Sequence, residues 1–238
     1  MEDRITPGLY LEMTDGPLDA YVDARVPEVL ALDGVERATW WRNANRDRGD
    51  LPRTIPEFDH LGVFEVTDEF RAPATPEGVT GYHFRHYPRP GQGRLSGKPT
   101  LGLSLVLISP TERSRAQDLR DWGDFVHIRY IAEVAVPGYT MITPYENVSG
   151  GDPLYMHFYE MDTDDPETSF RKMTPLVEQV LNSGGTPMAD ILESDADSRS
   201  AQFEARAEGL TDEFREWGFH DALQIVYVNS FVRVGELV

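Results

Sequence analysis

Apolar and polar residues alternate with period two over residues 8–13, Val35–Asn43 and residues 61–66, the signature of strands with one face turned to a core. Between the first two, residues 18–32 carry apolar positions at helical spacing, entered at Asp15 or Gly16 and stopped at Asp33-Gly34. Pro27 inside this stretch predicts a kink or a split helix. The same succession then returns. Gly102-Leu-Ser-Leu-Val-Leu-Ile reads as a strand, residues 121–136 as a helix stopped by Pro137-Gly138, and Tyr139–Asn147 and residues 154–161 as two further strands around the turn-forming Ser149-Gly-Gly-Asp-Pro. Alternation at residues 82–87 and 222–232 predicts a fourth strand for each succession.

The two successions align as an internal repeat. The offset is 94 residues at the first strand (8 to 102), 104 at the helix stop (34 to 138) and 95 at the third strand (65 to 160). The second copy therefore carries ten more residues before its helix, in 109–118, and a loop nine residues shorter between its second and third strands. The boundaries that follow are 1–98 for the first repeat with its connector, and 99–238 for the second with a C-terminal helical segment and final strand. Residues 44–58 form the long loop of the first copy, and loops of this length in compact domains tend to carry function. It is expected to border the mouth of the first half's pocket. Residues 166–181 predict a helix, 194–198 an exposed linker, and 199–208 a second helix within an acidic stretch.

Charge narrows the range of partners. A net charge of −19 argues against nucleic acid and anionic membranes. The absence of cysteine removes disulfides, thiolate catalysis and cysteine-ligated zinc. No apolar run reaches the roughly 18 residues of a membrane span, and Met1-Glu-Asp-Arg-Ile-Thr-Pro lacks the features of a signal peptide, so a cytoplasmic protein is expected. No phosphate loop, His-x-x-x-His helix or Gly-x-Ser-x-Gly elbow occurs, and His83 and His86 are spaced to point to opposite faces of a strand.

The helix ends Arg25-Val-Pro-Glu-Val-Leu-Ala-Leu-Asp-Gly-Val and Arg129-Tyr-Ile-Ala-Glu-Val-Ala-Val-Pro-Gly-Tyr resemble the His-x-Pro-x-x-x-x-x-Pro-Gly helix end of EthD-like proteins in the dimeric α/β-barrel superfamily. In both copies an arginine stands where that family often has a histidine. The resemblance implies an α+β fold, with two tandem ferredoxin-like repeats forming an intramolecular dimeric α/β barrel, a pocket within it, and a possible further homodimer. It also implies an activity: a cofactor-independent enzyme acting by proton transfer on a hydrophobic oxygenated small molecule, as a lyase or dehydratase, cyclase, isomerase or cofactor-free monooxygenase. A haem-binding barrel and a non-catalytic ligand-binding protein are the alternatives.

Comparing the copies assigns faces to the strands. Leu9, Leu11 and Met13 match Leu103, Leu105 and Leu107, a shared apolar set expected to pack on the helices. The opposite set would line the barrel: Glu12, Tyr10 and Phe64 in one half, His157 and Tyr159 in the other, with Trp41 and Asn43 from the second strand. An apolar cavity with a few polar groups is the usual form of a small-molecule site. On this reading His157 is the acid/base, with Tyr159 and Glu12 beside it, while Tyr10, Trp41, Asn43 and Phe64 bind substrate and no metal is held. The alternative is a histidine that only hydrogen-bonds within a polar core. Should the barrel-facing placement fail, Glu65 and Glu160, which recur at one position of the repeat, are the next candidates.

Overall fold

The computed structural model describes residues 6–89, 91–93, 96–182 and 223–238. The helix expected at 199–208 and the linker at 194–198 lie outside these residues. Strands β1 (Gly8–Thr14), β2 (Val35–Asn43), β3 (His60–Val66) and β4 (Val79–His86) precede a two-residue β5 (Gln92–Gly93). β6 (Gly102–Pro110), β7 (Tyr139–Asn147), β8 (Tyr155–Met161) and β9 (Leu223–Leu237) follow. The order β4-β1-β3-β2-β9-β6-β8-β7 closes through β4 on β7, giving an antiparallel barrel of eight strands, with β5 as an appendix to β7. Each group of four runs fourth-first-third-second in its own sequence order. Registers correspond as well, Leu9 facing Glu65 as Leu103 faces Glu160.

Helical segments lie outside the barrel. In the first half α1 (Leu18–Ala20) passes through a π-helical turn, Tyr21–Arg25, into α2 (Val26–Leu30). Pro27 sits in the first turn of α2, where its missing N–H costs nothing, so the expected split takes the form of a π turn just before it. In the second half α3 (Ala116–Trp122) likewise runs through a π turn, Gly123–His127, into α4 (Ile128–Glu133). That helix begins earlier than its apolar spacing predicts because part of the 109–118 insertion is itself helical. Both helix stops use a glycine in the left-handed region, Gly34 at φ 82° and Gly138 at φ 89°. The long α5 (Pro166–Asn182) follows β8. No helix among the described residues is long and apolar enough to cross a membrane.

The face assignment made from the sequence is inverted on the first and third strands of each half, whereas on the second strands Trp41 and Tyr145 face inward as expected. Leu9, Leu11, Met13, Leu103, Leu105 and Leu107 form one cluster with residues of every other barrel strand, including Trp41, Val63, Phe84, Tyr145, Phe158 and Phe231, so they fill the barrel interior. Tyr10 and Phe64 pack with Tyr21, Val26 and Val29 of the first helix, and Tyr159 packs with Ile128 and Ile131 of the second. The physical reason is closure: an eight-stranded barrel is just wide enough for side chains from all its strands to fill it, so its interior is the driest layer and takes the most apolar set. The helix-facing layer, open at its edges, tolerates paired polar groups.

Loop 44–58 is also placed differently from expectation. Phe58 enters the barrel core and stacks on Tyr227 at 4.9 Å and Phe231 at 5.4 Å. The Ala44 and Thr54 amides donate to the Ser230 and Val226 carbonyls at 2.8 and 2.9 Å. The segment thus closes one end of the barrel against β9 instead of rimming a pocket of the first half.

Candidate active site

Each half buries one polar cluster between sheet and helix. In the first, the Glu12 carboxylate accepts from Arg25 Nη2 at 2.6 Å, Arg25 Nε at 3.0 Å, Tyr10 Oη at 3.0 Å and Tyr21 Oη at 3.0 Å. Every donor on this list is a side chain, and the carboxylate is fully enclosed. Both phenols are pushed well above their ordinary range, first by burial and then by the neighbouring Glu12 charge. A carboxylate tied up in this way has no lone pair left for a substrate proton, so the cluster reads as a structural ion pair.

The second cluster is built differently. His157, on β8, points at the π turn, where its Nε2 lies 2.9 Å from Asp124 Oδ1 with both side chains buried. Gly123 makes the fit possible, since a Cβ there would come within 3.0 Å of His157 Cε1. Asp124 is also ion-paired through Oδ2 to Arg120 Nε at 2.7 Å and to Arg89 Nη1 at 3.4 Å, and Arg89 bonds Asp121 as well. Arg120 is almost completely buried between the Tyr87 and Tyr155 rings, 3.9 and 4.6 Å from their centres, and donates from Nη1 to the Tyr145 carbonyl at 2.8 Å. Its Nη2 has no hydrogen-bond partner among the described residues. Burial pulls the Arg120 pKa down, with the Asp124 charge acting against it. His127, at the end of the same turn, stacks on Trp122 at 4.9 Å, and burial, then His157, lowers its pKa.

The tautomer follows from this geometry. A carboxylate flanked by two guanidiniums can only accept, so His157 Nε2 carries the proton toward Asp124, and whenever the ring is neutral its lone pair is on Nδ1. That is the arrangement of an oriented general base.

Of the residues singled out from the sequence, His157 and Tyr159 share the helix-facing side of β8, while Glu12, Tyr10 and Phe64 lie under the other helix. The expected grouping of His157, Tyr159 and Glu12 is therefore not formed, and the His157 imidazole is buried between sheet and helix, so the barrel-facing basis on which the sequence made it the acid/base fails. Trp41 does face the barrel interior, its Nε1 donating to Thr39 Oγ1 at 2.9 Å. Asn43 sits at the barrel end, donating to Glu57 at 2.9 Å and the Phe58 carbonyl at 2.8 Å. Asp124 and Arg120 were missed; the available signal was Gly123, a glycine inside a helical stretch, which marks a close approach.

No protein-family model matches the chain, and no curated protein sequence does. Solved structures do match. An anthrone oxidase-like protein is similar with a TM-score of 0.50 at 10% identity, over 98% of this chain and 95% of that one. A candidate monooxygenase of Fusobacterium nucleatum subsp. nucleatum gives 0.47 at 8% identity over 97% and 94%, and a monooxygenase-like protein of Listeria innocua 0.42 at 10% over 76% and 87%. At such identities the likeness is one of fold. With the first of these the chain shares its fold, an antiparallel barrel of eight strands with helical segments outside it.

Proposed function

We propose that the chain is a cofactor-independent enzyme that removes a proton from a hydrophobic, oxygenated small molecule, with His157 as the base and Asp124 as the residue that orients it. The observation that carries this reading is the 2.9 Å contact between His157 Nε2 and Asp124 Oδ1, buried beneath a π-helical turn, a local geometry found frequently at functional sites. In this role Nδ1 accepts the substrate proton, and the resulting imidazolium is stabilised by the Asp124 carboxylate. The Arg120 Nη2 donor suits the oxygen on which negative charge develops. Among the reaction types, we favour oxidation by dioxygen after deprotonation over lyase or isomerase chemistry, in keeping with the anthrone oxidase-like neighbour of the same fold. We further propose that the two halves are tandem copies of one ferredoxin-like unit, a reading supported by the shared strand order and register.

Oxygen uptake measured against a panel of phenolic and anthrone-type compounds tests the assignment. His157→Gln should lower turnover by roughly 10²- to 10⁴-fold with little change in melting temperature, and Asp124→Asn should lower turnover per folded molecule while also lowering the melting temperature, because it leaves the buried Arg120 charge without its carboxylate. Unchanged turnover in His157→Gln would remove the histidine from the chemistry. Loss of fold in both variants, with activity per folded molecule preserved, would make the cluster structural.

A further inference from the structure

A cleft of about 360 Å³ opens on the outer face of the barrel, between the segment after β3 and the turn after β7, and none of the residues that line it belongs to the His157–Asp124 cluster. Its cationic lining stands out in a chain of net charge −19. Arg71, Arg85 and His83 all contribute to it. Arg71 is anchored by one nitrogen only, Nη1 donating to the carbonyls of Asp68, Glu69 and Phe70 at 3.0, 3.2 and 2.7 Å, which holds the rest of its guanidinium in place. Arg85 stands opposite Glu146 in the β4–β7 register, yet among the described residues it makes no ion pair. His83 meets the buried Phe70 ring edge-on at 5.1 Å, and its backbone N–H is fixed by Ser149 Oγ at 2.7 Å. Burial first, and then the Arg85 and Arg71 charges, depress the His83 pKa, so the ring is neutral at pH 7.

The charge balance selects the ligand. Two guanidiniums and one lining carboxylate, Asp68, leave a single positive charge beside a neutral imidazole. That matches a monoanion better than a phosphate dianion. Phe70, Pro7, Ala72 and Val148 give the same cleft an apolar wall, and its volume is at the small end of ligand pockets. Guanidinium forks and carboxylates are matched in geometry. We infer that this cleft binds a small organic carboxylate with an apolar body, its carboxyl group held between Arg71 and Arg85.

Calorimetric titration of the full chain with benzoate, benzyl alcohol and inorganic phosphate tests this. Benzoate should bind saturably and more weakly as salt is raised, with benzyl alcohol and phosphate binding much less. Arg71→Ala and Arg85→Ala should each weaken benzoate binding by about tenfold or more, because each removes a charge-assisted contact. Arg113→Ala, a change at an exposed ion pair with Asp152, should leave it unaltered. Absence of benzoate binding, an affinity in either arginine variant equal to that of the unaltered chain, or preference for phosphate would each overturn the assignment. His157→Gln should not alter the titration, which separates this site from the proposed catalytic one.

Discussion

At the scale of single residues, the two halves solve one packing problem in opposite ways. Where a strand meets a π turn, the first half places Gly62 on the strand and Tyr21 on the helix, and the second places His157 on the strand and Gly123 on the helix. A Cβ at Gly62 would collide with Tyr21 Oη, so Gly62→Ala should cost about 1–3 kcal/mol in urea unfolding. Adding Tyr21→Phe to that variant removes the colliding oxygen and should return part of the loss; a double variant less stable than Gly62→Ala would refute the complementarity. Arg25→Ala strands the enclosed Glu12 charge, and a penalty of about 3–5 kcal/mol is expected in the same assay. Glu160 works in the other direction. Its carboxyl is raised above the ordinary value of 4.5, chiefly by burial, despite the Thr100 hydroxyl bond, and Glu65 adds to the shift. A raised acid favours folding most while protonated, and stability is lost as pH climbs from about 4.5 through the folded value. Glu160→Gln should therefore raise the melting temperature at pH 8, with the gain vanishing near pH 4.

At the scale of elements, loop 44–58 behaves as a plug. Besides Phe58 in the core, it sends in Arg48, whose buried guanidinium pairs with Glu167 of α5, donates to Asn229 of β9 at 3.3 Å and lies 4.6 Å from the Phe170 ring centre. Phe58→Ala should thus destabilise the protein by about 3–5 kcal/mol, measurable as an earlier urea midpoint, where a mere surface excursion would tolerate the change. The strands themselves were legible: Val35–Asn43 and Tyr139–Asn147 match their sequence assignment end to end, because an Asp-Gly or Pro-Gly stop fixes where each begins. What alternation cannot say is which of two faces turns inward, and Leu9 against Tyr10 went the wrong way for that reason. Nor could it pair Glu12 with Arg25 or His157 with Asp124, since those partners meet only after strand and helix are packed. The π turns left no trace in the apolar spacing.

At the scale of the molecule, a charge of −19 makes the folded state repel itself, so the melting temperature should rise as sodium chloride is increased from about 0.02 to 0.3 M; a flat response would show that the local ion pairs outweigh the global field. Closure of the barrel is uneven. The two halves meet at β2–β9 through six paired residues, but at β4–β7 through only three, Phe84 with Asn147, Arg85 with Glu146 and His86 with Tyr145. A ring with one short join has a preferred place to part. Separating β4 from β7 costs few backbone bonds and leaves an otherwise continuous sheet, whereas β6 is held by seven pairs on one side and nine on the other. The amides of Tyr87 and Val148, which donate across this join to the Pro144 and His83 carbonyls at 3.1 and 2.8 Å, should therefore exchange with deuterated solvent through a partial opening well below the free energy of global unfolding, while those of β6 wait for the whole molecule to come apart. Because Arg85 belongs to that join, a carboxylate seated beside it would slow exchange there first, turning the loosest backbone in the barrel into a reporter of occupancy.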